Sequence, residues 1–125
     1  MTENTITMER DHDLISSNRV EGTPVYNEAG EKLGHVKEVM LNKKTGQVAY
    51  AVMHFGGFLG LGERYHPLPW DVLDYDPKKH GYVVSLDKKA LENAPTFGPE
   101  DSERLQDRGY LSGIYDYYGI APYWL

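Results

Sequence analysis

The stretch from Thr45 to Tyr75, TGQVAYAVMHFGGFLGLGERYHPLPWDVLDY, decides the fold. After a turn at Thr45-Gly46, the run Gln47 to Phe55 reads as a strand. Val48, Tyr50, Val52 and His54 fall on one face, and Ala49, Ala51, Met53 and Phe55 on the other. Both sets are mostly apolar, so this strand is expected to be covered on both faces. Four glycines follow, Gly56, Gly57, Gly60 and Gly62. A strand-like run, Arg64 to His66, comes next, then Pro67-Leu68-Pro69-Trp70, then Asp71 to Tyr75.

The chain on either side closes a small sheet around this piece. Residues 1–13 lack periodicity and read as a flexible leader. Ser16 to Asn18 and Glu21-Gly22 look like turns. Thr23 to Tyr26 is a short strand with Pro24 near its start or on an edge. Asn27 to Gly30 is a turn. In Lys32 to Asn42 the apolar parity switches near Lys37-Glu38, which predicts a β-bulge. Asn42 to Gly46 turns into the central strand, and Gly81 to Leu86 follows the polar turn Asp76 to His80. Six short strands at this spacing predict a small antiparallel β-barrel, whose closure would remove the sheet edges.

Past Leu86 the period becomes helical. Asp87 is placed to cap a helix over Lys88 to Asn93, ended by Pro95, and Pro99 to open a second one stopping near Gly109. Leu111, Ile114, Tyr115 and Tyr118 recur at helical spacing up to Gly119. The aromatic ending Pro122-Tyr123-Trp124 calls for cover, either from the barrel or from a second copy. The domain plan is thus a leader (1–13), a barrel (14–95) and a helical, tyrosine-rich tail (96–125).

The chain has 125 residues and a net charge of −6, with ten tyrosines and no cysteine. An acidic chain without a basic stripe argues against a nucleic-acid surface. No apolar run is long enough for a membrane helix, and the polar N-terminus lacks a signal-peptide core. The lack of cysteine rules out disulfides and thiol chemistry and suits the cytoplasm.

The residues bear on four chemistries. The glycine-rich segment has the reverse spacing of the dinucleotide fingerprint, lacks a following Lys-Ser/Thr and leads into a strand, so it reads as a tight connection. Its Phe58, Leu59 and Leu61 either fold onto the core or form a contact patch, one that could touch a membrane were the charge not opposed to it. The five histidines show no H-x-x-x-H spacing. His54 and His66, with Tyr65, remain candidates for a metal or small ligand beside the glycine segment. The carboxylates, Asp71 among them, read as turn caps and solvated groups, and no G-x-S-x-G elbow is present.

Several segments together resemble the PRC-barrel family: Gly22 to Asn27, Gly30 to Gly34, Val39 to Phe55, Gly56 to Glu63 and Pro67 to Trp70. That domain occurs in the photosynthetic reaction-centre H subunit and in a ribosome-maturation factor. The tail from Ile114 to Gly119 and through Trp124 is similar to the ending of stand-alone bacterial members. The resemblance implies a six-stranded PRC-type β-barrel acting as an adaptor, not an enzyme, with no cofactor and no catalytic residues to transfer. The expectation is therefore an interaction module, a homodimer or the holder of a protein partner. It would make its contacts through Phe58, Leu59, Leu61, Trp70, Tyr117, Tyr118, Tyr123 and Trp124. A ligand- or metal-binding barrel is the alternative. Neither nucleic-acid binding nor stable membrane insertion is expected.

Overall fold

The computed structural model describes residues 13–55, 64–86, 88–98, 103–104 and 106–124. The elements run α1 (Ser17–Val20), β1 (Pro24–Asn27), β2 (Lys32–Leu41), β3 (Val48–Phe55) and β4 (Tyr65–Pro69). A 3-10 turn at Trp70–Val72 then leads to β5 (Asp74–Asp76), β6 (Gly81–Val84), α2 (Lys88–Glu92) and α3 (Arg108–Tyr118). Ser16 to Asn18, expected as a turn, instead opens the short helix α1. The glycine-rich segment with Phe58, Leu59 and Leu61, the leader to residue 12, Asp87 and Pro99 lie outside the described residues.

The six strands form one sheet in the order β4-β3-β2-β1-β6-β5. Two expectations need correction. The sheet is mixed, because β1 and β6 pair in parallel. The reason is a matter of counting reversals. The chain reverses at each step from β1 to β4, and again from β5 to β6. Between β4 and β5 it rounds the 3-10 corner at Trp70–Val72. A hairpin there would have left β6 antiparallel to β1; a corner leaves it parallel.

The sheet also does not close into a barrel, since β4 and β5 are both edges. Tyr65 exchanges both backbone hydrogen bonds with Phe97, at 2.9 and 3.0 Å, on the side away from β3. Pro67 and Pro69 share its parity, so their nitrogens also face that outer edge. Proline there leaves the β3–β4 ladder intact and removes two donors a further strand would need. The 96–97 segment covers the rest of the edge, where the Arg64 guanidinium donates twice to Thr96 Oγ1, at 3.2 and 2.9 Å.

The predicted bulge appears as a register shift between Val36 and Glu38. The expected two-sided cover of β3 is also present. Ala51 and Met53 pack with Val25, Leu33, Val36 and Leu68 on one side, here the inner one. Tyr50 and Val52 pack with Tyr65, Phe97, Leu111, Ile114 and Tyr115 on the outer side. Complete burial of Leu68 and Met53 makes truncation of either to alanine a loss of about 2–5 kcal/mol.

Candidate functional site

The outer face of β3 is sealed by the chain's own C-terminus. The helical spacing from Leu111 to Tyr118 is α3, which begins at Arg108, whereas the opening of the helix expected from Pro99 to near Gly109 lies outside the described residues. Asp107 caps α3, its carboxylate accepting from the Gly109 amide at 2.9 Å. Leu111, Ile114 and Tyr115 are the buried residues of α3, the stripe that the sequence spacing indicated. Gly119 ends the helix in the left-handed region at φ 69°, and the Ile120 amide donates to the Tyr115 carbonyl at 3.0 Å. That reversal turns Tyr123 and Trp124 back over the helix.

Tyr115 pins the assembly. Its hydroxyl donates to the Ala49 carbonyl on β3 at 2.6 Å, and its phenol oxygen accepts from the Tyr123 backbone amide. Burial first, and the neighbouring Tyr123 second, push its pKa up to about 12, so the phenol keeps its proton in neutral solution. Trp124 meets the rings of Tyr115 and Tyr123 edge-on at 5.7 and 5.2 Å, and the Arg108 guanidinium lies 5.1 Å from the Trp124 ring. Tyr117, 44% exposed, donates its hydroxyl to the Ala90 carbonyl at 2.8 Å and so ties α3 to α2.

Where the returning tail meets the β4–β5 corner it leaves a cleft of about 250 Å³. Trp70, Tyr115, Ile120 and Tyr123 give it apolar and aromatic walls, and Asp71 is the one charged residue in its lining. Trp70 is held from behind by Tyr82, edge-on at 5.5 Å. The Asp71 carboxylate is exposed and makes no hydrogen bond or ion pair among the described residues.

The histidines divide between the two sides of the sheet. His54 pairs with His35 and with Tyr65 across its two ladders, at ring distances of 5.2 and 5.6 Å, on the outer side. His66 pairs with Met53 and therefore points inward, 5.3 Å from the Phe55 ring. Strand register thus keeps His54 and His66 from sharing a ligand, despite their adjacency in the sheet. His66 is 4% exposed, and its Nδ1 has no hydrogen-bond partner among the described residues. Burial, helped by the Arg64 charge, lowers its pKa to about 4. His35 is also lowered, by burial first and then by His54 and Lys32. No three His, Cys, Asp or Glu side chains cluster among the described residues in a way that could hold a metal.

Of the contact residues named from the sequence, Trp70, Tyr123 and Trp124 come together around the cleft and the tail. Tyr117 and Tyr118 sit one turn away, their rings 5.1 Å apart. Phe58, Leu59 and Leu61 lie outside the described residues. Sequence reasoning passed over Asp71 as a turn residue and missed Arg108 and Ile120. The spacing Trp70-Asp71, an aromatic with an adjacent carboxylate just after two prolines, was the available signal.

No curated protein matches the chain. Among solved structures it is similar to that of the 16S ribosomal RNA processing protein RimM from Pseudomonas aeruginosa. The match has 20% identity over 62% of this chain and a TM-score of 0.40, and it spans 48% of that protein. The family model for the PRC-barrel domain matches residues 12–91, so α3 and the aromatic tail lie beyond the matched segment. With that match spanning β1 to β6, the chain belongs to the PRC-barrel domain family.

Proposed function

We propose that the chain is a non-enzymatic interaction module that docks a protein partner through its C-terminal aromatic cap, in the cytoplasm. The carrying observation is the set of half-buried rings at the cap: Trp70 and Tyr123 line the cleft, and Trp124 packs on Tyr115 and Tyr123 beside it. Rigid aromatic side chains lose little entropy on contact and dominate binding energy when a partner covers them. Self-association through the same cap is the form this takes if the partner is a second copy.

The test is comparative capture. The chain and its Tyr123→Ala/Trp124→Ala double variant serve as baits in a lysate of the source organism, with thermal melting confirming that both fold. The reading expects at least one protein to be retained by the first and lost by the second. Identical capture by both baits removes the cap as the docking surface. Light scattering across a concentration range identifies the case in which the retained partner is the chain itself.

A further inference from the structure

We propose that the cleft between the β4–β5 corner and the returning tail receives the guanidinium of an arginine side chain from a partner protein. The inference rests on the interaction-module reading and adds the chemistry of the occupant. The cleft of about 250 Å³ falls below the roughly 300–1,000 Å³ typical of small-molecule pockets, and a single long side chain suits it better than a cofactor. Two half-buried aromatic residues, Trp70 and Tyr123, belong to its lining, and its one charge is the Asp71 carboxylate. Aromatic faces beside an anion recognise a cation, and a planar one best.

Guanidinium fits both parts of the site. It stacks flat on an aromatic ring while its fork of N–H donors meets a carboxylate through two parallel bonds. An ammonium is a compact, strongly hydrated charge and forgoes the stacking. The same chemistry already operates a few residues away, where Arg108 lies 5.1 Å from the Trp124 ring and Arg104 lies 6.0 Å from the Tyr110 ring. Asp71 has no hydrogen-bond or ion-pair partner among the described residues, so its acceptor capacity is open. The chain's net charge of −6 adds a long-range pull on a basic partner.

The test is a titration of the full, isotopically labelled chain with an acetylated Gly-Arg-Gly amide. Two control peptides carry citrulline, which keeps the shape without the charge, or lysine, which keeps the charge without the plane. The readout is the indole N–H of Trp70 and the backbone amides of Asp71 and Tyr123. The arginine peptide is expected to shift these signals saturably and to bind about fivefold more tightly than the citrulline peptide, the scale of one exposed ion pair. Lysine should fall between them. Asp71→Asn should bring arginine down to the citrulline level while leaving the melting temperature unchanged, because Asp71 is exposed. Equal binding of arginine and citrulline overturns the proposal, as does an unaffected Asp71→Asn variant or shifts confined to another face. If these fail while tail-dependent capture succeeds, the module reading stands and the occupant is wrong. If the titration succeeds while capture fails, the cleft chemistry stands and the docking role falls. A dimer that Asp71→Asn dissociates makes the occupant a second copy and overturns the assignment to a different protein.

Discussion

His66 should make the fold sensitive to mild acid. Its ring sits on the inner side of β4 between Met53 and Phe55, 4% exposed, with Nδ1 unpartnered among the described residues. Burial, with a smaller contribution from Arg64, holds its pKa at about 4, against an ordinary value of 6.5. The native state therefore excludes a proton that the unfolded chain accepts once the pH falls below 6.5. Stability is complete above that value, declines as the pH drops and stops declining near 4. The gap corresponds to a total of about 3 kcal/mol, at roughly 1.4 kcal/mol per unit. Of this, about 2 kcal/mol is lost between about pH 7 and about pH 5. For a chain of this length that is a fall in melting temperature of about 8 °C. The assay is thermal and urea unfolding at several pH values, on the chain and on His66→Leu. The variant should be at least as stable near pH 7, because it removes an unpaired polar atom from the core. It should also lack most of the decline. His35, itself lowered by burial, His54 and Lys32, contributes with the same sign to both proteins and cancels in the difference. Parallel losses in the two proteins between about pH 7 and about pH 5 would refute the assignment of a buried, neutral His66.

Three further substitutions probe the sheet and its cap. Gly34→Ala should destabilise by about 3 kcal/mol, because a Cβ there runs into the His54 carbonyl oxygen of the neighbouring strand, which the ladder holds in place; urea unfolding within 0.5 kcal/mol (roughly the scatter for neutral sites) of the parent contradicts this close approach. Tyr115→Phe removes the donor to Ala49 and the acceptor for the Tyr123 amide, so it should cost about 1–2 kcal/mol and speed proteolysis of the last residues. An unchanged cleavage rate would mean that ring packing alone holds the tail. Tyr118→Phe should be neutral or stabilising by up to about 1 kcal/mol, since burial pushes that phenol's pKa far up and its hydroxyl has no partner among the described residues; a clear loss of stability in denaturant would reveal a bond to that hydroxyl.

The strands were legible because parity is a strong signal where a face is buried. Alternation placed β3, the switch at Lys37-Glu38 placed the bulge, and Leu111, Ile114 and Tyr115 placed the buried stripe of α3. Helix boundaries were less legible. Gly109 looked like a stop, whereas Asp107 two residues earlier caps the helix, and capping is settled by a backbone geometry that composition leaves open. The opposite facing of His54 and His66 was not legible either, because register decides which face a strand residue takes, and His66 pairs with Met53 while His54 pairs with Tyr65.

Closure of the sheet is the instructive case, because the residues that prevent it were in view. Two prolines two apart in a five-residue strand must point their nitrogens to the same side. If that side faced β3, two ladder bonds would be lost in the middle of the sheet, so it must face outward. An outward side missing two donors is a poor partner for any further strand. The same sequence then places Trp70 and Asp71 at the corner that follows, where the chain turns without reversing. Blocking the edge and turning the corner therefore come from one short segment, Pro67 to Asp71. It leaves β5 on the far side of the sheet and frees the corner to form one wall of the cleft that the tail completes. The residues that block the β4 edge are thus continuous with those that wall the candidate docking site.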